Sequence, residues 1–425
     1  MRRCTLIGTS VIILLFLFSA PPFTSRALAS NPAAYEPDQM IVRLAPQNNG
    51  IQVINQLYGL ATLDTIPSHP DIFLLQASPT ANLPVLVQAV AADPRVLYAE
   101  LNYLTSDPES GSTNRIYGWG DSVQFKDQAV RSQMDFDGAH GYSMGSGTLV
   151  AVLDSGIQAD HAEFSGALAP LGFDFVDKDT DPSEEANGLD DDADGLVDEG
   201  YGHGTHVAGI VHLVAPEATL LPVRVLDSDS RGNIFMTASA IYYAAANGAD
   251  VINLSLGSPD YSILLSEAVA EAASMGVVLV AAAGNTNSGV EQYPAAEVCA
   301  LAVTSVKPNG HKSSFSAFGS WISVSALGER IYSPYPVDQY AAMSGTSMAA
   351  PFVAGQAALL RSLNPLLTLD DVGQLIGGTA QAATDPNYPG LLGEGRIDIF
   401  ASLATLASGN WANPNHNLYA GCTGK

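Results

Sequence analysis

Cations and cysteines are both scarce in this chain. Lys and Arg together number 17 of 425 residues, against 43 Asp and Glu, and the formal charge is -26. A nucleic-acid surface needs clustered cations to displace counterions from phosphates, so nucleic acid is excluded as an expected partner. Three cysteines cannot build a disulfide-rich scaffold. Beyond the first 24 residues, long apolar runs are missing as well. "VLVAAAG" and "MAAPFVAGQAALL" are too short to span a bilayer and are punctuated by Gly and Pro, so no stable membrane association is expected. What is present, 47% apolar residues with 39 Gly and 25 Pro, suits an ordered globular protein of one large domain plus smaller pieces.

The chain opens with the basic "MRRC", the apolar "TLIGTSVIILLFLFSA" and then "RALAS", a small-x-small cleavage site after Ala29. The uncharged run from Thr5 to Thr24 approaches the length of a membrane span, but Pro21 and Pro22 interrupt it. Residues 1–29 are therefore expected to be a removable signal peptide, and the protein to be secreted and extracellular. Removal leaves Cys299, in the strand-like "VCALAV", and Cys422, in a polar tail. Two separate thiols are the plainer reading and a single bridge is the alternative.

Residues 31–107 read as a small α+β unit in the order strand, helix, strand, helix, strand. The polar "TSDPESGSTN", 105–114, suits a boundary or a cut. Domain limits are set at 30–112 for this unit with its linker, 113–408 for the main domain and 409–425 for a tail. From about residue 145, apolar segments such as "GTLVAVLDSG", "ATLLPVRVLD", "GADVINLSLG" and "GVVLVAAAGN" alternate with helical stretches. That alternation predicts an α/β fold of three layers around a mostly parallel sheet. Polar residues cluster at strand C-terminal ends, where open α/β sheets place their sites.

Three such residues suggest acyl chemistry. Asp154 ends an apolar strand, His203 opens a helix in "GHGTHVAG", and Ser347 lies at a helix start in "SGTSMAAP". An imidazole beside a hydroxyl takes its proton, and a carboxylate on the far ring nitrogen fixes the tautomer and stabilises the imidazolium. Asn285, after "LVAAAG", could donate its amide to an oxyanion. Taken singly, each has an ordinary reading: a turn Asp, a packed His, a capping Ser, a turn Asn.

Together, "VAVLDSG", "GHGTHVAG", "AAAGN" and "SGTSMAAP" closely resemble, in order, the motifs of subtilisin-like serine proteases. The resemblance spans roughly residues 120–405. It implies a triad of Asp154, His203 and Ser347, an oxyanion donor at Asn285, and a second, non-catalytic histidine at His206. It implies protein or peptide substrates and no metal for the chemistry. Residues 31–107 resemble the propeptide that such enzymes use as a folding aid and transient inhibitor. "INLSLGS" is similar to the family's substrate-binding edge strand, at Ser255, Leu256 and Gly257, and "DSDSRG", 227–232, to the region opposite it. By the same resemblance Gln292, directly before the Tyr-Pro pair, would lie at the floor of the pocket for the residue before the cut bond. A neutral floor predicts apolar or aromatic preference, with Glu291 one alignment step away. A catalytically silent domain used for binding or adhesion is the alternative function. The chain departs from the family in "SALG", 325–328, and in lacking the calcium-binding insertion that many relatives carry after the His203 helix.

Residues 154–200 hold 15 acids and one Lys. Within them Asp190, Asp192, Asp194, Gly195 and Asp198 occupy positions 1, 3, 5, 6 and 9 of a calcium-type loop, with the Leu196 carbonyl at position 7. Tyr201 stands where an EF-hand has its Glu, so the loop is not an intact EF-hand. A structural Ca2+ supporting the adjacent helix is expected. The bland alternative is a solvated acidic loop.

Overall fold

The computed structural model describes residues 34–46, 50–110, 115–409, 411 and 416–422; the expected signal peptide lies outside them. A seven-stranded sheet runs through the main domain. Its strand order is Val324–Leu327, Ala300–Val306, Val278–Ala282, Val251–Leu254, Leu149–Asp154, Thr219–Arg224, Phe173–Asp174. Every neighbouring pair is parallel. The inner strands are buried along their whole length, which is why they read as continuous apolar runs. The helices His203–Val214 and Thr346–Leu363 pack on each other and on the sheet. No helix among the described residues is long and apolar enough to cross a membrane.

The N-terminal unit is an antiparallel sheet ordered Ala61–Ile66, His69–Gln76, Tyr35–Leu44, Val96–Ser106, and it is completed by Arg231–Asn233 from the main domain. One face closes a small core of its own around Met40, Val42, Ile54, Leu75 and Val90. The other, with Ile41, Ile72, Leu74 and Tyr98, joins the main core. This is the period-2 division of a strand between two faces. The strand Ala61–Ile66 adds to the expected element order. It sits at the sheet edge with Ala61, Thr62 and Leu63 exposed, so it carries no alternating apolar signal.

Two side chains of this unit complete helices of the main domain. Glu100 accepts from the backbone N–H groups of Ile263 (2.8 Å) and Leu264 (3.1 Å), at the start of the helix Ile263–Ser274. Asn102 accepts from the N–H of Phe235 (3.1 Å), at the start of Ile234–Ala246. Each satisfies donors that a helix cannot bond internally. Arg43 adds an ion pair to Glu267 at 2.8 Å.

The cysteines correct the plainer expectation. Cys299 and Cys422 form a disulfide, with Cα atoms 5.0 Å apart. The tail is anchored by Tyr419, which is fully buried in the main core, and this carries Cys422 back onto Cys299.

Candidate active site

Asp154 is the last residue of its strand and is buried. His203 is the first residue of its helix, and the glycines beside it are steric requirements. A Cβ at Gly202, whose φ is 94°, would lie 2.1 Å from the Tyr335 ring, and one at Gly204 would lie 2.1 Å from the Gly156 carbonyl oxygen. That close seating puts His203 Nδ1 2.6 Å from Asp154 Oδ1. Asp154 Oδ1 also accepts the Ser155 N–H at 2.8 Å, which fixes the carboxylate.

The helix start is held from below by Glu184. Its buried carboxylate accepts from the Thr205 N–H (3.2 Å), the Gly204 N–H (3.3 Å) and the hydroxyls of Ser155 and Thr205. Burial first, and the nearby Asp154 charge, push its pKa up to about 6 despite these bonds. Sequence reading missed Glu184, because an isolated acid inside an acidic run looks solvated.

Ser347 is the second residue of its helix and fully buried. Pro351 four residues later has no N–H to donate to the Ser347 carbonyl. The Ser255 hydroxyl donates to that carbonyl instead, at 3.0 Å. The two motifs "SLG" and "TSMAAP" are thereby joined at one hydrogen bond. Asn285 follows the strand Val278–Ala282 by three residues. Its Oδ1 accepts from the Thr346 N–H (3.0 Å) and the Thr346 hydroxyl (3.1 Å). With the oxygen so held, Nδ2 must face the cleft. Thr346 was not singled out from sequence.

A carboxylate from the N-terminal unit fills the space between these groups. Glu109 Oε2 accepts from the Ser347 hydroxyl at 2.6 Å and lies 3.2 Å from His203 Nε2, while Oε1 accepts from Asn285 Nδ2 at 2.7 Å. A Cβ at Gly345 would lie 1.5 Å from that Oε1, so only glycine leaves room for it. Both ring nitrogens of His203 therefore face carboxylates, which can only accept, and the ring is an imidazolium. Burial alone would lower its pKa. The charges of Asp154 and Asp107 and the bonds to Asp154 and Glu109 outweigh burial and hold it well above the usual value. His206 is different. Burial takes its pKa down to about 3, and its neutral ring donates to the carbonyls of Ile331 and Ala341, both at 3.0 Å.

Glu109 sits on a turn that follows an extended segment, with the Ser110 N–H on the Asp107 carbonyl at 3.2 Å. Ser106 and Gly257 exchange backbone hydrogen bonds of 3.0 and 2.9 Å in an antiparallel bridge. On the opposite side Leu104, Thr105 and Ser106 pair with Asn233, Gly232 and Arg231. The segment is thus a strand laid between Ser255–Leu256–Gly257 and residues 231–233, a strand-addition mode of peptide binding. Leu256 is fully buried behind it. Gln292 lies beside Gly257 and Gly284, its Cγ 3.0 Å from where a Gly284 Cβ would stand. Glu291 is exposed and accepts from the Tyr293 hydroxyl at 2.9 Å.

In the acidic loop, carboxylate oxygens of Asp190, Asp192 and Asp194 lie within 4.8 Å of one another. Gly195 turns there with φ 95°, and the Leu196 N–H donates to Asp194 at 2.7 Å. Asp198 is not brought to this cluster. Its carboxylate accepts from the N–H groups of Asn187 (2.8 Å) and Gly188 (2.9 Å).

A hydroxyl, an imidazole on a buried carboxylate and an amide donor, converging beside a strand-binding cleft, are the parts of an acyl-transfer site. Residues 145–395 match the model of the subtilase family. The chain is 42% identical over 251 residues to thermitase of Thermoactinomyces vulgaris, covering 57% of this chain and 83% of the relative. It is 38% identical over 277 residues to subtilisin DY of Bacillus licheniformis, covering 62% and 93%. Among solved structures, a protease from Pseudoalteromonas arctica aligns with a TM-score of 0.60 and 30% identity, covering 67% of this chain and 98% of that one. The chain belongs to the subtilase family. It is a serine endopeptidase with the subtilisin-like fold.

Proposed function

We propose that the chain is the secreted precursor of an endopeptidase in which Asp154, His203 and Ser347 form the triad and Asn285 donates to the oxyanion. Ser347 attacks the peptide carbonyl, His203 takes its proton and returns it to the leaving amine, and Asp154 orients His203. Water then repeats the attack on the acyl-enzyme. The observation that carries this reading is the Glu109 carboxylate, an anion held at once by Ser347, His203 and Asn285. Every member of the set is present, which disfavours a silent binding domain. Residues 30–112 act as folding aid and transient inhibitor. Glu100 and Asn102 supply helix caps to the main domain, and Asp107 and Glu109 add to Asp154 in raising the His203 pKa, which opposes its action as a base. The test is a fluorophosphonate probe. It should label Ser347 in the processed enzyme and leave the intact precursor unlabelled; labelling at another residue, or none after processing, rejects the triad.

The acidic loop fits a structural Ca2+. Asp190, Asp192 and Asp194 would hold it with the Leu196 carbonyl, and Asp198 would join by exchanging its backbone partners for the ion. Burial and the charges of Asp194, Asp229 and Asp190 raise the Asp192 pKa, a cost that a cation reverses. Calcium at a hundredfold excess over its Kd should stabilise the processed enzyme by about 2.7 kcal/mol, and Asp192→Asn with Asp194→Asn should remove most of that. A calorimetric titration showing no binding up to several millimolar rejects the site.

Preference before the cut bond is apolar or aromatic. The neutral Gln292 side chain lies against Gly257 and Gly284, and a substrate cation buried there would go unpaired. Glu291 is directed to the Tyr293 hydroxyl. Library cleavage should enrich Leu, Phe, Tyr and Met at this position. Gln292→Glu should raise cleavage after Lys and Arg by roughly tenfold or more, the worth of a partly desolvated charge pair. Dominant cleavage after Lys or Arg by the unaltered enzyme overturns the assignment.

A further inference from the structure

The segment lying in the cleft carries a second acid. The pairing ends with Ser106 opposite Gly257, and the chain then turns, the Ser110 N–H donating to the Asp107 carbonyl at 3.2 Å; a peptide that kept the same register would set its next residue opposite Leu256 and the one after it opposite Ser255, next to Ser347. Asp107 thus leaves the strand at the position of such a peptide's second residue before the bond that Ser347 would attack. Its side chain is fully buried, within 4.8 Å of Glu109 and His203 when measured between their polar atoms. Its partner is Arg115, whose NH1 donates to Asp107 Oδ2 at 2.6 Å and to the Ser230 hydroxyl at 3.2 Å, while that hydroxyl also donates to Asp107 Oδ2.

Arg115 belongs to the main domain by its anchoring. It directly precedes the strand Ile116–Gly120, which pairs with Gln339–Met343. Its side chain is 6% exposed, and among the described residues its Nε and second NH2 group have no hydrogen-bond partner, nor does Asp107 Oδ1. A cavity of about 320 Å³ beside them is lined by Arg115, Glu199, Tyr201, His203 and Tyr335. Once the N-terminal unit leaves, Asp107 departs with it and Arg115 stays beside an emptied subsite, its hydrogen-bonded carboxylate gone and only the more distant charge of Glu199 left. A guanidinium that has lost its hydrogen-bonded carboxylate favours a ligand that restores one, since charge-assisted bonds of this geometry are the strong ones.

We propose that Arg115 is a specificity-determining residue of the processed enzyme, selecting substrates with Asp or Glu at the second position before the cut bond. The proposal rests on the reading of residues 104–106 as lying in the cleft as a substrate strand does. It also requires processing to leave Arg115 on the mature chain, as a boundary at 112 does.

The test uses enzyme that has processed itself from the full chain, with its N-terminus sequenced. Four fluorogenic peptides carry Phe before the reporter bond and Asp, Asn, Ala or Lys one residue earlier. The Asp peptide should be cleaved roughly tenfold faster in kcat/KM than the Asn and Ala peptides, and the Lys peptide slowest of all. Arg115→Gln should level the series by bringing the Asp rate down to those of Asn and Ala, and Arg115→Glu should invert it toward Lys. If Arg115→Glu does not mature, the ratio of Asp to Lys in the unaltered enzyme decides alone. Equal rates, a slowest Asp peptide, or a mature N-terminus beyond residue 115 overturns the role of Arg115 while leaving the protease reading intact. Failure to cleave any of the four would instead strike the reading of the cleft itself.

Discussion

Ser347→Ala should lower kcat/KM for peptide hydrolysis by at least about ten-thousandfold, since the nucleophile and its base act as one unit. The fold should survive. Among the described residues Ser347 Oγ has two hydrogen-bond partners, the Glu109 carboxylate at 2.6 Å and the Ser255 carbonyl at 3.4 Å. Neither holds the helix in place. That task falls to the Ser347 carbonyl, which accepts from Ser255, and to the contacts of Thr346 with Asn285, none of which the substitution touches. Ala is also a stronger helix former than Ser. In the same variant, expressed without other proteases, the N-terminal unit should remain covalently attached. Intact protein mass and a peptide assay check both statements. Substantial residual hydrolysis would remove Ser347 from the mechanism, and normal maturation would exclude self-cleavage.

The parts of this site that could be read from sequence share one property: each stands at the end of an apolar run. Asp154 ends a strand, Asn285 follows one, and His203 and Ser347 open buried helices, so periodicity alone points to where they emerge. The central sheet was legible for the same reason, since buried parallel strands are continuous apolar segments. Residues whose role depends on distant partners were not. Glu184 reaches the His203 helix from 20 or more positions upstream, out of a run of acids that composition marks as solvated. Thr346 orients an amide 61 positions away. Glu109 and Asp107 sit in a polar stretch whose visible signal is only that of a linker, and their charges acquire meaning when the strand before them enters the cleft. The disulfide needed the tail to fold back on Tyr419, a packing event without a local pattern. In the acidic loop the spacing suggested four carboxylates around one centre. Backbone donors at Asn187 and Gly188 draw the fourth, Asp198, elsewhere.

Asn285→Ala should lower kcat by about a hundred- to a thousandfold with little change in KM, the range known for one such donor in a related enzyme rather than one calculated from this geometry. The argument lies in how the amide is held. Its Oδ1 takes two donors from Thr346, the backbone N–H at 3.0 Å and the hydroxyl at 3.1 Å, so Nδ2 is fixed toward the cleft, where it already meets an anionic oxygen at 2.7 Å. A donor held in advance pays no reorganisation when charge develops on the attacked carbonyl, and it contributes more to the transition state than to the bound substrate. Thr346 is then a positioning residue. Its hydroxyl also accepts the Gly284 N–H at 3.0 Å, linking the Asn285 turn to the Ser347 helix. Thr346→Val keeps the shape, removes both hydroxyl bonds and leaves the backbone donor, so it should cost kcat less than Asn285→Ala does. Thr346→Ser, which restores the hydroxyl, should recover most of the rate. In the double variant Asn285→Ala with Thr346→Val the losses should fall short of the product of the two, because Thr346 acts through an amide that is no longer there. Steady-state kinetics on one peptide substrate measures the four variants against the unaltered enzyme. Fully multiplicative losses, or a rise in KM with kcat unchanged, would show that Thr346 supports the fold or substrate binding and does not aim the amide.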